Sequence, residues 1–576
     1  MNPNSEFHVF RDSRRQVRAA ELVARLRTSL LQLSSSAPPA DVLNLLLLAG
    51  ELECALADAP ALAADSMAAS QLTSLVVEAV IAGDLGAATQ ARSLPCEGVR
   101  RLDSIGYRGN VSVGTPEGFA YYALHPLDYS DLIARLHLHK ASAFVVGIRS
   151  IGTTLSAVVG AKLRQLGIDA RRTTVRPTGH PYERQCGLDL EQRQAIARAR
   201  AAGAEFIVCD EGPGRSGSSL LSVAEALERE GVEAGRILMV CSHQPDVNAL
   251  CAPRVAERWR RFRCAPTGMT RHLPANADCY AGGGEWRQYF LTAGEEWPAV
   301  WPQMERLRYL SCDRRELLTF EGYGPYGVPV SSRNGALSTS GFGARYLGRE
   351  SGFGKHLLPF GRLLRRDDLT PEMLARMAEY CAWRAREFAV ADAEAGALEE
   401  MARTNFAREF GEEVDALHLP VERPAICDNR MAPHDWLLTR EGAVLKLDAA
   451  IHGDDHFFPG PCDIAWDLAG ITVEWELSSA ARSSLLSQYR RASGDNVASR
   501  VQTYEIAYAA FRLGWSRMAA ASVARSDGEA RLSRDPLRYR RWLRRLTGYR
   551  TRRLPQLRAA ARLPQARGTL AAPELP

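Results

Sequence analysis

Lysine is nearly absent from this chain of 576 residues: it occurs only at Lys140, Lys162, Lys355 and Lys446. Almost all positive charge therefore comes from arginine, and chemistry that needs a lysine is limited to four positions. No apolar run approaches the roughly 20 residues of a membrane span. The N-terminal stretch has no apolar segment after a basic start, so we expect neither membrane insertion nor a secretory signal.

Paired cysteines are also missing, because none of the twelve cysteines stands in a CxxC motif. In a chain of this length, scattered cysteines indicate reduced thiols and a cytoplasmic protein. The hydrophobic share of 46% and the charged share of 24% exclude a disordered chain. A net charge of +5 is too small for a general nucleic-acid or membrane binder.

The length predicts several domains, and the sequence pattern divides the chain into three regions. Residues 1–95 have apolar residues at helical spacing and are predicted to form a helical extension. Residues 96–290 alternate short apolar runs with amphipathic segments, which predicts a parallel sheet covered by helices on both faces. Residues 305–576 combine glycine-rich and helical segments. We therefore predict a multidomain protein of α/β and α+β units.

The clearest motif lies in the second region, where a buried strand at 206–209 runs into Asp210 and Glu211. A turn rich in glycine and serine follows, Ser216-Gly217-Ser218-Ser219, and then a helix. Glycines let a phosphate approach the backbone, and a helix N-terminus offers free N–H groups to an anion. The order resembles the phosphoribosyl-pyrophosphate motif of type I phosphoribosyltransferases, with serines for threonines and a spacer one residue longer. The resemblance implies that phosphoribosyl pyrophosphate binds here with Mg²⁺.

Two neighbouring segments fit the same family. Residues 147–154 join a strand to a helix where such enzymes hold pyrophosphate, and Arg149 suits that anion. Residues 176–184 lie where those enzymes carry a mobile catalytic loop, so the resemblance implies that Arg176, His180 and Arg184 close on pyrophosphate. An ordinary surface turn is the alternative for this loop.

A second motif lies in the third region. Gly322, Gly324 and Gly327 form a GxGxxG pattern, and the prolines around it predict a β-hairpin of the kind that a kinase places over nucleotide phosphates. The later segments 427–438, 444–448 and 463–469 resemble the catalytic core of aminoglycoside phosphotransferase-like kinases. That resemblance implies a bilobal kinase-like domain that uses ATP and Mg²⁺. It assigns the following roles: Asp428 as base, His434 or Asp435 and Asp448 as metal ligands, and Asp467 as a structural anchor.

The expected lysine of such a kinase is missing, because no lysine lies between Lys162 and Lys355. Arg333 is predicted to follow a strand at 328–332 and to supply the phosphate-binding cation, with Lys355 as the alternative. The histidines and acids at 434 and 452–456 allow another interpretation, a transition-metal site, since imidazoles and carboxylates at short spacing are metal ligands.

The C-terminal stretch from Arg534 to Arg567 is basic and contains Tyr539, Trp542 and Tyr549. It fits either a solvated face of a terminal helical bundle or a contact with nucleic acid. Together the motifs predict a bifunctional transferase acting on a small nucleoside-like or phosphoribosyl metabolite, with one step dependent on phosphoribosyl pyrophosphate and one on ATP. The alternative is a regulatory nucleotide-sensing protein with an inactive kinase fold and a basic tail that contacts nucleic acid.

Overall fold

The structure is a computed structural model that describes residues 7–33, 38–84, 94–292, 297–412, 414, 417–523 and 527–549. The N-terminal region begins with strand β1 (Arg15–Arg18), which pairs antiparallel with β2 (Asn110–Val113). Four helices lie between these strands: α1 (Ala19–Gln32), α2 (Pro39–Asp58), α3 (Ala63–Asp84) and α4 (Leu94–Asp103). Helices α2 and α3 are apolar along most of their length, and both pack on a helix of the next region.

The second region contains a five-stranded parallel sheet, as the alternating pattern predicted. Its strands are β3 (Ser142–Ile148), β4 (Asp169–Val175), β5 (Glu205–Cys209), β6 (Ile237–Cys241) and β7 (Arg263–Pro266), in the order β4-β3-β5-β6-β7. Its helices are α5 (Glu117–Ala120), α6 (Pro126–Arg135), α7 (Ile151–Gln165), α8 (Leu190–Ala201), α9 (Ser218–Arg229) and α10 (Val255–Trp259).

Both faces of this sheet are buried, which explains why its strands are apolar without alternation. Val145 and the strand residues on the same face of the sheet pack with α7 and the N-terminal helices. Phe144 and Val146, on the other face, pack with α8 and α9. The carboxyl ends of β3, β4 and β5 lie side by side, so the three segments that follow these strands meet at one edge of the sheet.

An antiparallel sheet comes next. Its strands are β8 (Ala277–Tyr280), β9 (Arg308–Ser311), β10 (Glu316–Phe320), β11 (Tyr346–Glu350) and β12 (Phe353–Leu357), in the order β11-β12-β10-β9-β8. Helix α11 (Trp286–Phe290) lies between β8 and β9, and α12 (Val328–Ser340) between β10 and β11. Since β8 pairs with β9, residues before position 290 belong to the same sheet as residues after 305.

The prediction of a β-hairpin at the GxGxxG pattern is wrong. Strand β10 ends at Phe320, a turn follows in which Gly322 has φ +130° and Gly324 has φ +51°, and α12 starts at Val328. A proline in the first turn of a helix is favourable, because its missing N–H would have no partner there. Residues 328–332 therefore form the beginning of a helix, where the sequence predicted a strand.

The remaining residues form a mainly helical unit with its own core. Its helices are α13 (Pro371–Glu387), α14 (Gly396–Phe410), α15 (Ala465–Glu474), α16 (Ser479–Ser493), α17 (Val501–Ser522), α18 (Asp527–Leu532) and α19 (Asp535–Thr547). Its strands are β13 (Gly361–Leu363), β14 (Pro424–Ile426), β15 (Trp436–Thr439), β16 (Val444–Lys446) and β17 (Pro461–Asp463). Within the described ranges, no helix combines the length and the apolar character that crossing a membrane requires.

Candidate phosphate sites

The acid pair Asp210–Glu211 lies where β5 ends, at the edge of the parallel sheet. Both residues are half-buried. Asp210 Oδ1 accepts the N–H of Glu211 at 2.8 Å, and Glu211 Oε2 accepts the N–H of Gly118 at 3.0 Å. Neither carboxylate forms an ion pair with another described residue. Burial raises the pKa of Asp210 to about 7 and that of Glu211 to about 8, with a further rise at Glu211 from the nearby Glu117.

The turn after these acids is shaped by two glycines in the left-handed region, Gly214 at φ +52° and Gly217 at φ +69°. Gly217 is the residue before α9, whose first turn contains Ser218 and Ser219. The hydroxyls of Ser216 and Ser218 lie 2.9 Å apart and both donate to the carbonyl oxygen of Pro181, at 2.8 and 2.6 Å. The turn is therefore covered by the loop that the sequence predicted to be mobile.

A cavity of about 530 Å³ opens beside this loop. Three arginines line it: Arg14 before β1, and Arg176 and Arg184 in the loop. Ser150 and Thr154, from the segment after β3, complete one wall. The Arg176 guanidinium forms an ion pair with Asp58 of α2, so the helical extension contributes directly to this site.

Two predicted residues of this site point elsewhere. Arg149 uses its guanidinium to bind Asp58, the carbonyl of Ala57 and both oxygens of Thr174, at 2.9–3.0 Å. It is a clamp between α2 and β4, and it does not line the cavity. His180 is exposed, with its ring against Tyr182, and is also outside the cavity lining.

The second site is created by the β15–β16 hairpin. Asp435 immediately precedes β15 and Asp448 follows β16, and the N–H of Leu447 donates to the carbonyl of Asp435 at 2.8 Å. Pairing of the two strands thus brings together two predicted metal ligands that are 13 positions apart in the chain. Asp448 has φ +55° and its carboxylate binds Nη2 of Arg308 at 2.6 Å.

Arg308 of β9 is the cation beside Asp448, and sequence reasoning missed it. Its side chain is 9% exposed, and Asp448 is the main partner that raises its pKa against the opposing effect of burial. The sequence Arg306-Leu307-Arg308-Tyr309 alternates arginine with apolar residues, as a strand with one polar face does, although β9 begins only at Arg308.

Arg333 does not follow a strand, although the sequence predicted that it would. Arg333 lies in α12, is buried, donates to the carbonyl of Ala450 at 3.0 Å and approaches Asp454 at 3.7 Å. Burial lowers its pKa to about 10. Lys355 forms an ion pair with Glu350 at 2.9 Å, whereas its neighbour His356, on the opposite face of β12, is the residue near Asp448.

The predicted base, Asp428, is fully buried. Its carboxylate accepts a hydrogen bond from the Tyr380 hydroxyl and lies 3.3 Å from Nζ of Lys446 and 3.9 Å from Nη1 of Arg384. Asp467 accepts the backbone N–H groups of Asp428 and Asn429 at 2.9–3.1 Å, which is the anchoring position predicted for it. Asp428 is therefore enclosed by Tyr380, Lys446 and Arg384.

Beside Asp435 lies a second cavity, of about 420 Å³. His434 and Asp435 line one side, together with Arg430 from the loop after Asp428. Burial lowers the pKa of His434. The C-terminal helix α19 forms part of the opposite side.

The alternative metal site at 452–456 does not assemble. Asp454 binds Arg11 at 3.0 Å, and His456 shares a 3.0 Å hydrogen bond with the Tyr122 hydroxyl. In the described part of the chain, the three residues whose donor atoms all lie within 4.8 Å of one another are instead Asp128, Asp131 and His272.

The aromatic residues of the C-terminal basic stretch pack inward. Tyr539 and Trp542 of α19 are buried in the helical core, and Tyr549 packs against Phe410. The rest of the basic stretch, from residue 550 onward, lies outside the described residues. The aromatics therefore stabilise the bundle and are not available as a stacking surface for bases.

No family model matches the chain, and no curated protein matches it. Choline kinase LicA from Streptococcus pneumoniae is a similar solved structure, with 14% identity and a TM-score of 0.31 over 42% of this chain and 90% of that one. A choline/ethanolamine kinase family protein from Mesorhizobium loti has 16% identity and a TM-score of 0.31 over 42% and 88%. Plasmodium vivax ethanolamine kinase has 10% identity and a TM-score of 0.27 over 41% and 81%. At these values the likeness assigns no function, and the sites have to be interpreted from their own geometry.

Proposed function

We propose that the protein is a transferase whose parallel-sheet half binds phosphoribosyl pyrophosphate with Mg²⁺ at Asp210–Ser219. One observation carries this proposal. Two half-buried carboxylates, those of Asp210 and Glu211, form no ion pair among the described residues and lie directly in front of a glycine turn and a helix N-terminus. Such an arrangement suits a ligand that brings hydroxyl groups and a cation to the acids and a phosphate to the turn.

The remaining residues fit the two ends of that ligand. Ribose hydroxyls donate to the acids, and the 5′-phosphate binds at the turn. There it accepts hydrogen bonds from the hydroxyls of Ser216 and Ser218, which no longer donate to the Pro181 carbonyl. The pyrophosphate binds among Arg14, Arg176 and Arg184. In the reaction the bond between C1 and the pyrophosphate oxygen breaks, pyrophosphate leaves with the electron pair, and the acceptor bonds to C1 and loses a proton.

The residues of the second half fit the binding of a nucleotide. Asp435 and Asp448 present two carboxylates at the end of one hairpin, the oxygen donors that Mg²⁺ prefers. Arg308 supplies positive charge for the nucleotide phosphates next to them. We therefore propose that ATP binds here with Mg²⁺, held by Asp435, Asp448 and Arg308.

Burial of Asp428 favours the regulatory alternative for this half. A general base has to reach the proton that it removes, within hydrogen-bond distance or through one water molecule. Asp428 is instead enclosed by Tyr380, Lys446 and Arg384. In this alternative the half binds the nucleotide and transfers no phosphate.

Calorimetry tests the first proposal. Phosphoribosyl pyrophosphate is titrated with Mg²⁺ into the wild type, into the double variant Asp210→Asn/Glu211→Gln, and into Glu257→Gln as a surface control. We expect the double variant to lose about 1.5–3 kcal/mol for each charge-assisted contact removed, and the control to bind as the wild type does. Equal affinity in all three proteins would refute the assignment.

A turnover assay separates the two functions of the second half. The wild type is incubated with ATP, Mg²⁺ and cell extract, and phosphorylated products are sought by mass spectrometry. ATP binding that depends on Asp448, together with no transfer of the terminal phosphate, would support the regulatory alternative. Transfer that is lost in Asp428→Asn while that variant remains folded would support the kinase.

A further inference from the structure

The cavity beside Asp435 is lined by an unusual number of arginines. There are eight of them, against four carboxylates. The arginines are Arg365, Arg366, Arg430, Arg512, Arg531, Arg534, Arg538 and Arg541. A cleft lined mostly by one sign of charge concentrates ligands of the opposite sign. Four of these arginines come from the last two helices and the segment between them, so the start of the basic C-terminal stretch faces this cavity.

A buried acid holds part of this arginine cluster in place. Glu474, 1% exposed, binds Arg512 at 3.2 Å and Arg538 at 2.8 Å and accepts the hydroxyl of Tyr539 at 2.8 Å. These partners lower the pKa of Glu474 to about 2 despite its burial. One buried carboxylate thus holds two guanidinium groups in the wall of the cavity.

Three other arginines of the cavity, Arg430, Arg531 and Arg541, form no ion pair with an acid among the described residues. The guanidinium of Arg430 lies 5.4 Å from the ring centroid of Trp515, and that of Arg531 lies 5.6 Å from that of Trp297. Stacking on indole orients these guanidinium groups and leaves their charge unneutralised. Arg541 is exposed at the rim.

We infer that this cavity binds a small phosphate-bearing metabolite. Arginine is the residue best suited to phosphate, because its planar donor groups match the phosphate oxygens. A volume of about 420 Å³ is in the range of small-molecule sites. The aromatic residues that a single strand of RNA would need for stacking are buried or covered by arginine, which favours a metabolite over a nucleic acid.

The position of the cavity suggests what the ligand does there. Asp435 lines the cavity, and through the hairpin it lies next to Asp448 of the proposed nucleotide site. A ligand in the cavity would therefore lie beside the nucleotide phosphates. This part rests on the proposed function. It identifies the ligand of the second half as an anion, such as the phosphorylated ribosyl product of the first half.

The test uses ribose 5-phosphate, with ribose as the uncharged comparison. Titrations are done by calorimetry in the Asp210→Asn/Glu211→Gln background, in which the first site has lost the acids proposed to bind the ribose hydroxyls. We expect ribose 5-phosphate to bind there, and the further change Arg430→Gln/Arg541→Gln to weaken it about 10- to 100-fold. Arg540→Gln, on the same helix but paired with Glu409 at 3.3 Å, is the matched control and should have no effect.

Several outcomes would overturn the inference. One is equal affinity with and without Arg430 and Arg541, and another is equal binding of ribose and ribose 5-phosphate. Binding of a single-stranded 12-residue RNA that is tighter than that of ribose 5-phosphate, and is lost in Arg541→Gln, would assign the surface to nucleic acid. Circular dichroism melting of each variant identifies any that fail to fold; for these, the single changes replace the double one.

The proposed functions can fail separately from this inference. Phosphoribosyl pyrophosphate binding is measured in Arg430→Gln/Arg541→Gln with an intact first site, and ATP binding in the same protein. Both should equal the wild type if only the cavity is affected. If ATP fails to bind even the wild type, the nucleotide proposal is refuted, while the ribose 5-phosphate result still decides the cavity.

Discussion

The two halves of the molecule arrange their acids in opposite ways. In the parallel-sheet half, Asp210 and Glu211 are half-buried and form no ion pair with another described residue, and desolvation raises the pKa of both. In the helical half, Asp428 is enclosed by Lys446 and Arg384, and Asp448 is bound by Arg308. In the proposed function, the cation for the acids of the first half comes with the ligand. In the second half, cationic side chains of the protein itself pair with the acids. These acids therefore stabilise the fold, or they bind a ligand only after it displaces the paired side chain.

The largest expected effect concerns folding. Asp428→Asn should lower the free energy of unfolding of the helical half by about 3–5 kcal/mol, because it leaves Lys446 and Arg384 buried without their partner. Asp210→Asn should leave stability unchanged or raise it, because it removes an unfavourable buried charge. Thermal unfolding of both variants measures the contrast. A loss of stability in Asp210→Asn as large as that in Asp428→Asn would contradict the comparison.

A smaller effect is expected at Arg308. Arg308→Gln should weaken ATP binding by about 1.5–3 kcal/mol, as expected for a lost contact between a guanidinium and a phosphate. Lys355→Gln, whose lysine points away from Asp448 and pairs with Glu350, should change it by less than about 1 kcal/mol. Titration of ATP into the two variants checks both values. A loss of ATP affinity confined to Lys355→Gln would mean that the nucleotide binds on the opposite face of the sheet.

The unpaired acids also predict that stabilisation of the fold by Mg²⁺ and phosphoribosyl pyrophosphate depends on pH. A carboxyl group whose pKa is raised in the folded state stabilises the fold at low pH, and this contribution is lost as the pH rises from the unfolded value near 4 through the folded values near 7 and 8. Mg²⁺ binds the ionised form, so its stabilising effect should grow over the same interval. We expect Mg²⁺ with phosphoribosyl pyrophosphate to raise the melting temperature more at pH 8.5 than at pH 6.

The double variant Asp210→Asn/Glu211→Gln provides the control for this experiment, since amides replace both acids that are proposed to bind the cation. Its response to Mg²⁺ and phosphoribosyl pyrophosphate should vary little with pH. A response in the wild type that is the same at pH 6 and pH 8.5 would show that these acids do not bind the cation.

The smallest expected effect concerns the loop over the glycine turn. Ser218→Ala removes one hydroxyl that donates to the Pro181 carbonyl, which should destabilise the closed loop by about 1 kcal/mol. Limited trypsin digestion after Arg184 should then become several times faster. Ser219→Ala, one position further along α9, is the control and should be cleaved as the wild type is.

Prediction from sequence succeeded where the pattern is local. The run of apolar strands and amphipathic helices predicted the parallel sheet, since strands buried on both faces have to be apolar throughout. The anchoring position of Asp467 was also predicted. The glycine pattern at 322–327 failed because glycines permit a hairpin and a turn before a helix equally well, and Pro329 fits the first turn of α12.

The sequence by itself determined which residues stand at strand ends, and with that the meeting of three segments at one edge of the parallel sheet. Only the tertiary structure decided the charge environment of each acid. Arg308 reaches Asp448 from a strand 140 positions away, and Arg384 and Lys446 converge on Asp428 from separate elements. Such pairings depend on how sheets and helices pack, and the spacing of residues along the chain contains no information about them.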